Sequence, residues 1–298
     1  MEPAEALHRL GGLASFGELN ALCSRSEIAA ATDADAIVRG ARGRYALPQV
    51  DVSRRLSHAL NGVVSHTSAA LLWGWGIKQP SPEPHITFPR RRVVTPETRR
   101  LCLPHWADLG PDDVTDRVTS RERTLADCLR SLPPDEALCV ADSALRDGLA
   151  PSNLRAIAHG LRGAGAGQAR RIAALADGRA ANPFESCLRA IALDVPGLTP
   201  QPQVPLTVGG TYVRPDLVDV DLGIILEADS HEWHNNNRRQ LLHDCRRYTA
   251  MVVAGWLVVR FAWEDVMSRQ DDIRLQLVKL VELAATRAEV LGPLSRHA

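Results

Sequence analysis

Three acids in the last third of the chain, Asp216, Glu227 and Asp229, have the spacing of side chains brought together by adjacent strands. In a strand, alternate residues share a face, so Ile225, Glu227 and Asp229 fall on one side and Ile224, Leu226 and Ala228 on the other. A four-residue turn over 219–222 pairs residue 216 with 225. That register sets Asp216 on the face of Glu227, one diagonal step away. An apolar strand with acids at its end is costly unless a cation or hydrogen-bond donors compensate. Two converging carboxylates are hard oxygen ligands that suit Mg²⁺, with Mn²⁺ as a substitute. A bound Mg²⁺ can activate water and offset the charge on a phosphoryl centre.

The elements around these acids can be read in order. Asn182-Pro183-Phe184-Glu185 opens a helix over 182–193, with Asn as N-cap, Pro in the first turn and Glu185 at the capping-box position. Pro196-Gly197 stops it. Strand-like pieces follow at 203–208, 212–218 and 223–229. A helix over 238–253 places Leu241, Leu242, Cys245, Tyr248, Thr249 and Val252 on one face at helical spacing. Residues 256–261 read as a buried strand and 272–291 as a last helix. The order is α-β-β-β-α-β with a helix appended.

The first 55 residues read as short helices followed by a basic turn. Leu7 and Leu10 lie on a helix that ends at Gly11-Gly12. Ser15 with Glu18, and Ser24 with Glu27, have capping-box spacing. Residues 37–47 read as two short strands around the turn that holds Arg42, Gly43 and Arg44. Three helices and a hairpin fit a winged helix-turn-helix, and they also fit a small helical domain without a nucleic-acid role. Residues 56–175 alternate helical and strand-like pieces, with helices at 65–75, 124–132 and 135–146 and strands at 85–88 and 101–106. His66, Trp73 and Trp75 read there as packing residues rather than ligands. The run Arg90-Arg91-Arg92 reads as a solvated loop or a phosphate contact. The glycine-rich stretch 160–167 lacks the Lys-Ser/Thr of a phosphate loop.

The residues also resemble known families. Pro215-Asp216, the step to Glu227, and Glu227-Ala228-Asp229 resemble the PD-(D/E)XK nuclease superfamily. The string from Glu227 to His234, then Asp244-Cys245-Arg246-Arg247-Tyr248, then Gly255-Trp256-Leu257-Val258-Val259-Arg260-Phe261, looks like its branch related to very-short-patch-repair (Vsr-like) endonucleases. The resemblance covers about residues 182–270. It implies Mg²⁺-dependent cleavage of DNA, with Asp216 and Glu227 as metal ligands and Glu185 as the acid of the first helix. Glu185 also reads as a plain helix cap. Asp229 stands where the superfamily has a lysine, and this chain has only two lysines, Lys78 and Lys279. His231 or His234 would then assist proton transfer, and Arg246 or Arg247 would hold phosphate or simply lie on the helix surface. Gly11-Gly12, the stretch from Arg42 to Pro48, Ser65-His66-Thr67-Ser68-Ala69-Ala70 and Arg123-Thr124-Leu125-Ala126-Asp127 resemble AbiEi-type antitoxins over about residues 5–150. That implies DNA binding and transcriptional control, with Arg42 and Arg44 as phosphate contacts.

Composition bounds these readings. The formal net charge is zero, so any basic surface for DNA must be local. No two of the six cysteines have CxxC spacing, which argues against a zinc cluster or redox dithiol. Scattered thiols, an opening Met1-Glu2-Pro3 without signal-peptide character and no apolar run of membrane-spanning length point to the cytoplasm.

The expected fold class is α/β. It comprises an N-terminal winged helix-turn-helix (1–55), a middle α+β region (56–175) and a C-terminal restriction-endonuclease-like αβββαβ core with a mixed sheet (182–298). The expected function is a metal-dependent DNA endonuclease of DNA repair or phage defence, with catalytic Glu185, Asp216, Glu227, Asp229 and His234. The alternative is a DNA-binding regulator or antitoxin with a degenerate nuclease fold and a toxin partner. Under either reading a homodimer is a candidate assembly.

Overall fold

The computed structural model describes residues 2–41, 43–229 and 238–291. The chain divides into two compact units. One comprises Met1–Gly74 and Gln79–Cys128, the other Trp75–Lys78 and Leu129–Ala298. Both carry mixed α/β structure, and no described helix is long and apolar enough to cross a membrane.

The first unit begins with helix α1 (Pro3–Arg9), strand β1 (Leu13–Ser15), helices α2 (Phe16–Asn20) and α3 (Arg25–Asp33), and strands β2 (Val38–Ala41) and β3 (Arg44–Ala46). Both capping boxes form. The Ser15 and Ser24 hydroxyls accept from the Glu18 and Glu27 N–H groups, and each glutamate accepts from its serine N–H at 2.7 Å. The strands make an antiparallel sheet in the order β1-β3-β2, with Ser15 opposite Arg44. Leu7, Leu19, Ile28, Ile37 and Leu47 are buried together beneath it. β1 is an addition to the sequence reading, because three residues are too few to show an alternating pattern.

The unit continues with α4 (Val52–Leu60), β4 (Val63–Val64), α5 (His66–Leu72), β5 (His85–Phe88), α6 (Pro96–Leu101), β6 (Leu103–Trp106), β7 (Val114–Thr115), β8 (Val118–Thr119) and α7 (Arg121–Ser131). The division between the units falls within α7. A mixed sheet runs β6-β5-β4-β8-β7. Gly62 precedes β4 at a point where any Cβ would run into Ile86 and Phe88, so only glycine lets the strand close on its neighbour.

The second unit contains α8 (Pro134–Arg146), α9 (Pro151–Gly160), α10 (Ala166–Leu175) and α11 (Pro183–Leu193). Next come β9 (Gln201–Pro202), the hairpin β10 (Leu206–Val208) and β11 (Thr211–Val213), β12 (Leu217–Asp219) and β13 (Ile224–Asp229). The unit ends with α12 (Arg238–Val253), β14 (Leu257–Ala262), α13 (Trp263–Ser268) and α14 (Gln270–Leu291). Its sheet runs β14-β13-β12-β9; β14 is parallel to β13 and the other pairs are antiparallel. One face buries Leu217, Ile224 and Leu226 against Cys187, Leu188 and Ile191 of α11. The other buries Val218 and Ile225 against the hairpin and Met251 of α12. The alternation read along β13 is therefore the alternation between two cores.

Four details depart from the sequence reading. Helices α8 to α10, assigned to a middle region, fall in the same unit as the acidic strands. The first two expected strands are broken up, because β10 and β11 form a separate two-stranded sheet. The turn after β12 covers residues 220–223 rather than 219–222, since Gly223 has φ +68 and Asp219 Oδ1 accepts from the Leu222 N–H at 2.9 Å. Leu217 consequently pairs with Leu226, and the same register sets position 216 opposite 227, not 225. On α12 the expected apolar face is exposed at Leu242, Cys245, Thr249 and Val252. The face turned inward carries Asp244, Arg247, Tyr248 and Met251.

A buried ion pair ties α8 to α11. Arg189 donates from one guanidinium nitrogen to both oxygens of Asp142 at 2.7 Å, and both side chains are almost wholly buried. Asp142 also accepts from the Ser186 hydroxyl and the Asp177 N–H, each at 2.8 Å. Removing the acid strands a buried cation. Asp142→Ala is expected to lower the unfolding free energy by about 3–5 kcal/mol in urea denaturation. A loss typical of an exposed pair, below about 1 kcal/mol, would contradict this account of the packing.

Candidate active site

The acidic residues converge because the local structure of three elements fixes them. Asn182 caps α11, its Oδ1 accepting from the Glu185 N–H at 3.0 Å. Its amide also donates to Glu185 Oε1 at 2.8 Å, and the Ala181 N–H donates to Oε2 at 2.9 Å. Glu185 thus occupies the capping-box position without closing the box, since it accepts from the Ala181 N–H rather than that of Asn182, and it is a buried acid, 3% exposed. Asp216 lies just before β12 and accepts from the Ala228 N–H at 2.9 Å. Glu227, also 3% exposed, stands opposite Asp216 across the strand pair, and the two carboxyl groups hydrogen-bond to each other.

Gln203 joins the acids. Its amide nitrogen donates to Glu185 Oε2 at 3.0 Å and to Asp216 Oδ1 at 3.3 Å, while its backbone N–H donates to the Asp216 carbonyl at 2.9 Å. Gln203 adopts φ +56, a left-handed conformation that is uncommon for a side-chain-bearing residue and that recurs at functional sites. The sequence reading placed it at the start of a strand and gave it no role. Nothing in its type or spacing marked it.

Two arginines supply positive charge. Arg247 grips Glu227 bidentately, Nη1 to Oε1 at 2.9 Å and Nη2 to Oε2 at 3.3 Å, and Nη2 also donates to the Tyr248 hydroxyl at 2.9 Å. Arg260, on the strand parallel to β13, pairs with Asp229. Both guanidinium groups lie near the Tyr248 ring, 4.7 Å and 4.4 Å from its centroid. Arg260 is a second residue without a sequence assignment. Its signal was available, since a parallel partner to β13 places Arg260 beside Glu227.

The electrostatics follow from burial. Burial, then the charge of Asp216, pushes the Glu185 carboxyl up to about 7. Burial and Asp216 push Glu227 up to about 8, although Arg247 pulls the other way. Asp216 is raised by burial alone, while the Ala228 N–H, the Glu227 hydrogen bond and Arg247 all favour its ionised form. Glu227 therefore holds the proton of the shared hydrogen bond. Burial, then Glu227, pushes Tyr248 up to about 12, so its hydroxyl stays protonated.

The site thus gathers Glu185, Asp216 and Glu227, with Asp229 paired beside them at the strand end. Arg247 faces the acids, whereas Arg246 is exposed on α12. Arg44 is in the first unit, 3.5 Å from Asn61 Oδ1. Arg42, His231 and His234 lie outside the described residues. The donor set fits a hard divalent cation: buried oxygen ligands that hold protons because too little positive charge faces them. Binding there requires the shared proton to leave and Arg247 to loosen its grip on Glu227.

No family model matches the chain. The uncharacterized proteins MT2308 and Rv2248 of Mycobacterium tuberculosis (strains CDC 1551 / Oshkosh and ATCC 25618 / H37Rv) are each 29% identical to it over 172 residues. The match takes in 56% of this chain and 62% of theirs, so the chain spans less than two thirds of the length of these curated relatives. Among solved structures, the crystal structure of the RV2827C protein from Mycobacterium tuberculosis is similar with a TM-score of 0.36 and 14% identity, over 62% of this chain and 78% of that one.

The raised carboxyls carry a sign. The native state holds protons on Glu185 and Glu227 above their ordinary value of 4.5, so unfolding releases them. This part of the stability is present at low pH and is lost as pH rises through about 7 and about 8. Between pH 7 and 8 metal-free wild type is expected to lose about 1 kcal/mol of unfolding free energy, a loss offset in small part by the histidines whose native pKa burial lowers. Glu227→Gln is expected to flatten that decline in urea titrations. An identical slope in the variant would refute the protonated Glu227.

Proposed function

We propose that the chain is a metal-dependent endonuclease acting on DNA, with the acidic site of the second unit as its catalytic centre. The observation that carries the reading is the buried contact of Asp216 with Glu227, joined to Glu185 through Gln203. Three desolvated carboxyls at one strand end are a poor way to stabilise a fold and a good way to bind a divalent cation. The order α11-β9-β12-β13-α12-β14, apart from the inserted hairpin, agrees with the αβββαβ core that the resemblance implies.

Asp216 and Glu227 would hold Mg²⁺ or Mn²⁺, with Glu185 at the margin of the site. When bound, the metal lowers the pKa of a coordinated water and offsets charge on the phosphoryl oxygens. Glu185, joined to Asp216 through the Gln203 amide, would stand close enough to the reacting water to take part in proton transfer. Arg247, displaced from Glu227, offers a planar pair of donors that matches a phosphate bidentately. Arg260 keeps Asp229 neutralised at the position where the superfamily has a lysine. Asp229 is then a partner of Arg260 rather than a direct substitute for that lysine. In the first unit the order α1-β1-α2-α3-β2-β3, with its antiparallel β1-β3-β2 sheet, supports a winged-helix reading and, with it, duplex DNA as the ligand.

One observation favours the alternative of a DNA-binding regulator or antitoxin. Arg247 and Arg260 already pair with Glu227 and Asp229 without any metal, as they would in a site that has given up turnover.

Purified full-length protein with supercoiled plasmid and Mg²⁺ or Mn²⁺ is expected to nick or linearise it. Asp216→Ala and Glu227→Ala are expected to reduce the rate about 100-fold or more. Equal background cleavage by wild type and Asp216→Ala would overturn the nuclease reading. A metal-independent gel shift of DNA upstream of the protein's own gene, unchanged in Glu227→Ala, would then support the regulator.

A further inference from the structure

The first unit holds a cluster that the nuclease reading does not use. His66 opens α5, His85 opens β5 and His105 lies on β6. β5 and β6 are parallel, with Thr87 opposite His105, so His85, Thr87 and His105 share one face of the sheet. The Ser65 N–H donates to the His85 carbonyl at 3.0 Å, which sets the start of α5 against that face. The three imidazole rings lie nearly parallel, with His66 and His105 centroids 3.6 Å apart. One nitrogen from each ring can be chosen so that all three lie within 4.8 Å of one another.

The way the cluster is held is unlike ordinary core packing. His85 Nδ1 and His105 Nε2 are 2.9 Å apart and share a proton. His66 Nδ1 is 2.9 Å from the Ser65 hydroxyl, which in turn accepts from Thr87 at 2.8 Å. This is the outer partner that commonly orients a ligating imidazole. His66 is 5% exposed and has φ +52, a conformation strained for a residue with a side chain. Three histidines crowded without a carboxylate among them gain little as packing. They are kept neutral by burial, which pushes His105 down to about 4 and lowers His66 and His85 as well. Neutral imidazole is the form that binds metal.

We propose that His66, His85 and His105 form a binding site for a divalent transition-metal ion of the zinc class. Imidazole nitrogens suit Zn²⁺, Ni²⁺ and Co²⁺ and disfavour Mg²⁺, so this chemistry differs from that of the carboxylate site. Three nitrogens around Zn²⁺ at about 2.0–2.1 Å stand roughly 3.3 Å apart, so binding needs a contraction of at most about 1.5 Å. It also needs His66, stacked on His105, to turn its ring until its in-plane lone pair meets the ion. The His85–His105 hydrogen bond is replaced by two metal bonds. The ring that donated changes tautomer, its proton moving to the other ring nitrogen, so neither ring changes charge. Three protein ligands leave a fourth position for water or a ligand. The ion would bind α5, β5 and β6 together.

The test uses untagged full-length protein stripped with chelator and titrated with Zn²⁺ in a calorimeter, with Co²⁺ absorption as a second readout. Wild type is expected to take up one equivalent per chain through this site and to give the visible bands of nitrogen-ligated Co²⁺. His85→Ala and His105→Ala are expected to lose that equivalent and the bands, while Asp216→Ala keeps both. Ser65→Ala is expected to weaken binding about 10- to 100-fold, as for an orienting partner. Circular dichroism of the metal-free variants checks that they fold, and His105→Gln serves if His105→Ala does not. Absence of the equivalent in wild type, or its retention in folded His85→Ala and His105→Gln, would overturn the proposal.

Discussion

The second unit is organised around one constraint: carboxyl groups are withheld from water at the end of β13 with too few positive charges to ionise them all. Each surrounding choice serves to hold them there. The N-cap of α11 turns Glu185 inward. The glycine-closed turn after β12 fixes the register that sets position 216 opposite 227. Gln203 accepts a strained backbone and bridges two acids with one amide. A fold selected for stability alone would place apolar side chains at these positions, since desolvated acids raise the free energy of the native state. The arrangement makes sense when the missing positive charge is supplied from outside.

Arg247 is the internal stand-in for that charge. Its two parallel hydrogen bonds to Glu227 are geometrically good, yet Glu227 is still pushed up to about 8, because one guanidinium offsets neither the burial nor the neighbouring Asp216. The pair is therefore poised rather than closed. In the proposed reading a divalent ion would compete with the shared proton and with Arg247, and that competition would set how cation affinity depends on pH.

Much of the second unit was legible in the sequence. Asn182-Pro183 and Glu185 define the start of α11 by capping chemistry, and α11, α12, β13 and β14 stand where periodicity places them. The errors have physical origins. Gly223 reads as the first residue of a strand, but its positive φ assigns it to the turn and shifts the register by two. The inward face of α12 was misread because apolar periodicity assumes that charged residues face water, whereas Arg247 turns inward to meet buried acids. Gln203 and Arg260 become visible only once the fold brings them to the acids. The three histidines come from separate elements of the first unit, and their spacings along the chain carry no metal signature. Helices α2 and α3 of the first unit were read from two serine–glutamate capping boxes, while the short strand β1 was beyond the reach of any periodicity.

The two clusters differ in chemistry as well as in place. Hard carboxylate oxygens select Mg²⁺ or Mn²⁺, and imidazoles select ions of the zinc class. The central claim concerns the first of these: the acids hold protons that a hard cation displaces. The direct measurement is calorimetric titration of metal-free protein with Mg²⁺ at pH 7 in buffers of different ionisation enthalpy. Wild type is expected to bind Mg²⁺ and release about one proton per chain, because Glu227 is largely protonated and Glu185 about half protonated at that pH. Glu227→Gln is expected to release fewer and to bind more weakly. No binding at millimolar Mg²⁺, or binding without a proton released in either protein, would contradict the account.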